Sequence, residues 1–134
     1  MNPNYPLVAE RAGHRCEYCR APEAVFNMPF EVEHIIPRDK EGLNVASNLA
    51  LACRSCNLNK SNHIEGIDPI TQELAPLFHP RKDKWAEHFT RDQLFSFNLR
   101  GLTPIGRATI SQLRMNSPLQ LAARERWSEL QLFP

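Results

Sequence analysis

The chain contains no apolar run approaching the ~18 residues that a membrane-spanning helix needs, so a transmembrane segment is excluded. Its first residues, MNPNYPLVAERAGHR, show no basic start followed by an apolar stretch. A secretory signal is therefore not expected, and the expected compartment is the cytoplasm. There is no internal repeat and no low-complexity tract. Charge is nearly balanced, with a formal net of +1, so overall charge predicts no nucleic-acid partner.

Cysteine is scarce as well. The 134 residues hold four, and all four fall into two pairs, Cys16-x2-Cys19 and Cys53-x2-Cys56. In a reducing compartment such pairs bind metal more readily than they form disulfides. With 33 residues between them, the pairs can close one tetrahedral zinc site of four thiolates, a common structural set. A redox C-x2-C is the competing reading, and the lack of a surrounding βαβ pattern argues against it.

What lies between and beside the pairs is chemically richer. It comprises Glu33-His34-Ile35-Ile36-Pro37, a lone Asn48, and Asn57 with Lys60 in the string CRSCNLNK. Phe30, Val32 and His34 alternate with Glu31, Glu33 and Ile35, the period-two pattern of a half-buried strand, which Pro37 ends. Residues 38–47 are polar and contain a glycine, which predicts a loop. Leu49 to Ala52 then returns as a second strand. Arg54 to Asn62 reads as a helix with Asn57, Lys60 and Ser61 on one face. Upstream, Leu7 to Gly13 reads as a short helix stopped by glycine, and Val25 to Met28 as a further strand.

Downstream, prolines at 69, 76 and 80 favour irregular structure and edge strands. His88 to Arg91 with Phe95 to Leu99 suggests a hairpin. Thr103-Pro104 and Ser117-Pro118 each set a capping residue before a first-turn proline, which predicts helices over 104–115 and 118–130. Ser117 and Gln120 have capping-box spacing. The expected organisation is a core over residues 1–63, with a connector and C-terminal α/β extension over 64–134 packed on it. Residues 1–79 carry 7 basic and 10 acidic side chains, net −3, whereas residues 80–134 carry 9 and 5, net +4. Arg81, Lys82, Lys84, Arg100, Arg107 and Arg114 are thus candidate contacts to backbone phosphate. A solvated face is the plainer reading of so small an imbalance.

In this order and spacing, the two Cys-x2-Cys pairs, Glu-His-Ile-Ile-Pro, Asn48-Leu49-Ala50-Leu51-Ala52 and Asn57-x2-Lys60 resemble the HNH endonuclease family over residues 14–62. The tail, with GIDPITQELAPLFHPR and GLTPIGRATISQLRMN, is similar to stand-alone bacterial HNH proteins. The resemblance implies an α+β fold: a ββα-metal finger stapled by a four-cysteine zinc site, with a C-terminal helical extension. It further implies cleavage of DNA, double-stranded in the first instance. By the same resemblance His34 activates water and Glu33 is an acidic metal ligand. Asn48 orders the loop that holds the histidine, and Asn57 is a second metal ligand. Many family members have aspartate in place of Glu33 and histidine in place of Asn57, so metal preference is where this chain departs.

Elementary chemistry supports these roles independently. Phosphodiester hydrolysis needs an activated water and a counter-charge for the transition state. His34 is suited to be a general base near neutral pH. Glu33 and Asn57 offer hard oxygens, which suit Mg²⁺ or Mn²⁺ rather than zinc. Adjacent strand residues point to opposite faces, so Glu33 and His34 converge on one phosphate only if the strand end bends. Arg38 and Lys60 are candidate phosphate contacts, while His14, His63, His79 and His88 are expected outside the site. The leading reading is a DNA endonuclease with a histidine base and one divalent ion. An inactive zinc-stabilised nucleic-acid-binding module and a purely structural zinc ribbon compete with it. Only the first requires Glu33, His34, Asn48 and Asn57 together.

Overall fold

The computed structural model describes residues 1–92 and 97–133. The first helix, α1 (Tyr5–Arg11), turns Val8 and Ala9 fully inward. Gly13 follows at φ +64, a left-handed conformation that glycine adopts without a Cβ penalty, and ends the helix as expected. The chain then folds into the tight Cys16–Cys19 turn, held by the Arg20 N–H donating to the Cys16 carbonyl at 3.0 Å.

Strand β1 (Glu31–His34) pairs antiparallel with β2 (Leu49–Ala52), placing Glu31 opposite Ala52 and His34 opposite Leu49. Helix α2 (Arg54–Lys60) follows at once, with the Cys53 sulfur capping its first turn. Strand, loop, strand and helix thus appear in the expected order, and the fold is α+β with a ββα unit at its centre. The strand expected over Val25 to Met28 does not form. Residues Glu23–Val25 make a 3-10 turn instead, because the buried Glu23 carboxylate ties the segment down. It accepts hydrogen bonds from the Tyr5 hydroxyl and the Phe30 N–H, each at 2.7 Å.

The remainder is built from two hairpins and three helices. β3 (Glu65–Ile67) pairs antiparallel with β4 (Leu74–Pro76). After α3 (Trp85–His88), β5 (Phe89–Arg91) pairs with β6 (Leu99–Gly101). The expected second hairpin therefore exists with its return strand shifted later, and Phe95 and Ser96 lie outside the described residues. Helices α4 (Pro104–Leu113) and α5 (Pro118–Glu129) match their sequence expectation. Thr103 caps α4 by accepting from the Gly106 N–H at 3.0 Å. Ser117 makes no such side-chain bond, and the Gln120 side chain, which would supply the reciprocal half of a capping box, donates instead to Ser55 Oγ at 2.9 Å.

α4 packs on β3, β4, β6 and α2. Its link to α2 is reinforced by Asn59, which donates to the Leu113 carbonyl at 3.0 Å, and by Gln112, which donates to the Asn59 carbonyl at 3.2 Å. Asp68 is fully buried and takes a two-pronged ion pair from Arg107, at 2.9 and 2.8 Å. That guanidinium holds the Asp68 carboxyl well below the usual carboxylate range. One buried cluster joins the cysteines and Leu51 to Leu113, Met115, Trp127 and Phe133, so a common core runs beneath both parts of the chain. Among the described residues no helix is long and apolar enough to cross a membrane.

Candidate active site and metal centre

The four cysteines come from two turns, one before β1 and one at the start of α2. All four are buried, and their sulfurs lie within 4.8 Å of one another. Four thiolates at about 2.3 Å from one zinc stand about 3.8 Å apart, and the Cys19–Cys53 sulfur separation is 3.7 Å. The donor set and its dimensions fit zinc. Burial disfavours ionisation of Cys16, but hydrogen bonds from Cys19, Cys53 and Cys56 outweigh it and hold its thiol well below the ordinary value. Cys19 and Cys56 are pushed up in turn, each chiefly by its sulfur neighbours.

His34 ends β1 and is half-buried. Its position is fixed by the buried Asn48, whose amide bonds only to backbone. Asn48 Oδ1 accepts from the Ile36 N–H at 2.8 Å, and Nδ2 donates to the carbonyls of Ile36 and Leu43 at 3.0 and 2.8 Å. The Asn48 carbonyl accepts from the Ile35 N–H at 2.9 Å. One side chain thereby satisfies three backbone groups of the 35–44 loop. Gly42 completes the clamp, since a Cβ there would stand 1.7 Å from the Ile36 oxygen. His34 Nε2 lies 3.1 Å from Asn44 Oδ1. When the imidazole donates from Nε2, Nδ1 is left with a free lone pair.

Glu33 sits elsewhere. It is 7% exposed, and its carboxylate accepts from the Tyr18 hydroxyl and from Lys60 Nζ, the latter at 3.2 Å. Burial raises the Glu33 carboxyl above its ordinary value, against the pull of Lys60 and Tyr18. Burial, with the negative charge of Glu33, also pushes the Tyr18 hydroxyl well up. Glu33 and His34 thus point to opposite sides of β1, as strand alternation requires. Asn57, on α2, is half-buried, and its amide donates to Glu31 rather than meeting Glu33. Glu31 also faces Arg54 at 3.4 Å. Glu31 is the residue that the motif did not single out, although its even spacing from Glu33 already placed it on the same side of the strand.

Lys60 is corrected outright as a phosphate contact. At 1% exposure it is an internal strut, donating to the Ile35 carbonyl at 2.8 Å as well as to Glu33. Arg81 is spent internally too: it pairs with the buried Glu17 and reaches the Leu49 carbonyl at 3.3 Å. Arg107 is held by Asp68, as described. Arg38, Lys82, Lys84, Arg100 and Arg114 remain exposed. His14 and His88 are engaged by Glu23 and Thr103, at 2.6 and 2.7 Å, and His63 is exposed. His79 is different, because with Lys82 it lines a cleft against Ile36, Gly42 and Asn48. It is 31 positions beyond Asn48, and no local signal links them.

Comparison with known proteins bears on these same residues. Residues 16–63 match the family model described as HNH endonuclease. The chain is 27% identical over 109 residues to the Septu protein PtuB of Bacillus thuringiensis. The alignment covers 80% of this chain but 38% of that protein, so the chain spans well under half of the relative it matches. No solved structure matches the chain.

Proposed function

We propose that this chain hydrolyses phosphodiester bonds of double-stranded DNA, with His34 as general base and one Mg²⁺ or Mn²⁺ ion, a reading supported by the match of residues 16–63 to the HNH endonuclease family model. The observation that supports this reading best is the Asn48 clamp, which holds a half-exposed histidine on a rigid loop with one ring nitrogen free. His34 Nδ1 takes a proton from a water as the water oxygen bonds to phosphorus. The bond from phosphorus to the leaving ester oxygen then breaks. Asn44 keeps the ring oriented while it carries the added proton. The four cysteines hold zinc and take no part in the reaction.

The ion, when bound, supplies positive charge to the phosphate oxygens as negative charge builds there. The half-exposed pair of Glu31 and Asn57 offers it a carboxylate and, after rotation of the amide, a carbonyl oxygen. Glu33 is the motif's own ligand, but both its oxygens serve Tyr18 and Lys60. Glu31 with Asn57 has the freer donors, on the side of β1 away from His34, so bringing the ion to the phosphate that His34 serves requires the strand end to bend. Arg38 is the exposed cation nearest in sequence to His34 and is assigned to phosphate contact.

The test is cleavage of supercoiled plasmid by the zinc-loaded chain with Mg²⁺ or Mn²⁺, with and without EDTA. Metal-dependent nicking or linearisation is expected. Its absence would favour a zinc-stabilised module that binds nucleic acid without cutting it. Glu31→Gln should raise the Mg²⁺ concentration needed for half-maximal rate more than Glu33→Gln does. The reverse order would return the ion to Glu33.

A further inference from the structure

The turn His79-Pro80-Arg81-Lys82-Asp83 is pinned both internally and to the strands beside it. The His79 carbonyl accepts from the Lys82 and Asp83 N–H groups at 3.0 and 2.8 Å, and the His79 N–H donates to Asp83 Oδ2 at 2.9 Å. Arg81 ties the turn to the Leu49 carbonyl of β2 and to the Glu17 carboxylate in the cysteine turn. Just beyond it, the Trp85 indole N–H donates to the Tyr18 carbonyl at 2.7 Å. Side chains on such a turn start from a fixed backbone.

Two of them, His79 and Lys82, line a cleft whose other wall is the loop ordered by Asn48, including Gly42, Leu43, Ser47 and Asn48 itself. The same loop carries Asn44, the partner of His34. At about 270 Å³ the cleft has the space of several waters of about 30 Å³ each, which is room for a phosphate group. His79 Nδ1 accepts from the Arg81 N–H at 3.2 Å, so the ring proton sits on Nε2. Burial, with Lys82 nearby, holds the imidazole below its ordinary value, and the ring stays a neutral donor at neutral pH. Neither His79 Nε2 nor Lys82 Nζ has a hydrogen-bond partner among the described residues. Of the acids nearby, Asp83 is engaged by the His79 N–H, and Glu41 is exposed on the cleft, where water screens it. An N–H donor and an ammonium, both unspent and facing one cleft, suit an oxyanion.

The geometry points to a phosphate subsite formed by His79 and Lys82 against the 42–48 loop, which holds a backbone phosphate of the DNA beside the one that is cut. This rests on the proposed nuclease reading and extends the substrate grip beyond Arg38. His79 Nε2–H and Lys82 Nζ donate to the phosphate oxygens, and neither takes part in the chemistry. They are positioning residues: the loop that forms the opposite wall also fixes His34, so a phosphate held there sets the register of the strand against the histidine.

The experiment is fluorescence anisotropy of the full, zinc-loaded chain with a labelled DNA duplex, without Mg²⁺ or Mn²⁺ so that nothing is cut. Wild type is compared with Lys82→Ala, His79→Asn and Lys84→Ala. Asparagine at position 79 can still accept from the Arg81 N–H, as in an Asx-turn, but lacks the Nε2 donor. Lys84 is exposed, does not line the cleft, and controls for the loss of one positive charge. Lys82→Ala should bind at least about fivefold more weakly and flatten the slope of log K against log salt by about 0.9. His79→Asn should bind about threefold more weakly with the slope unchanged, because a neutral donor displaces no counterion. Lys84→Ala should match wild type in both. Wild-type affinity in either cleft variant, or an equal loss in Lys84→Ala, would overturn the inference and leave the nuclease reading standing. A wild-type chain that binds no duplex also overturns it, and plasmid cleavage by the same sample then shows whether the nuclease reading falls with it.

Discussion

The sulfur centre and the His34 loop flank the same two strands, yet they are built on opposite rules. Around the cysteines the packing is closed: the sulfurs, Tyr18, Leu51 and Trp127 share one buried cluster. Around His34 the backbone is equally fixed, but by a single amide, and the ring itself stays half-open to solvent. The first arrangement resists change and offers no room to a substrate. The second gives up burial and keeps a reactive group accessible on a rigid support. On the proposed function, stability and chemistry fall to different residues, and substitutions should separate them.

The largest effect belongs to the metal. In small zinc domains, binding of the ion contributes about 10–16 kcal/mol to folding. Cys53→Ser should therefore lose zinc and unfold the core, read as collapse of the thermal transition. A folded, zinc-free variant would break the contrast at its base. Next is Lys60→Met, which strands the Glu33 carboxylate in the interior and should cost about 3–5 kcal/mol. Denaturant unfolding measures it, and a loss below about 1 kcal/mol would return Lys60 to the surface role its type suggests. Smaller still is Asn48→Ala. It leaves backbone groups of Ile36 and Leu43 without partners, for about 1–3 kcal/mol, and should lower cleavage more than it lowers stability. Equal, modest losses in both would make Asn48 ordinary scaffold.

Much of this was legible in local spacing. The cysteine pairs, the two strands, α2 and the loop-ordering part of Asn48 all depend on residues within a few turns of one another, and the structure brings those together. Lys60 misled because helical spacing fixes which residues share a face but does not say what that face meets. Here it meets β1, and a lysine that looked solvated is sealed against Glu33. Arg81 and Arg107 misled in the same way: their partners Glu17 and Asp68 lie 64 and 39 residues away, so charge excess in the tail did not mean free charge. The reciprocal half of the capping box at Ser117 is missing because the Gln120 side chain bonds to Ser55, 65 residues back.

The most direct test of the division is His34→Ala in the full, zinc-loaded chain. Removing a general base lowers rates by about 100- to 10,000-fold, so plasmid cleavage should fall by at least 100-fold while zinc content and melting temperature match wild type. Cleavage within threefold of wild type, or a variant that loses zinc along with activity, would contradict the account.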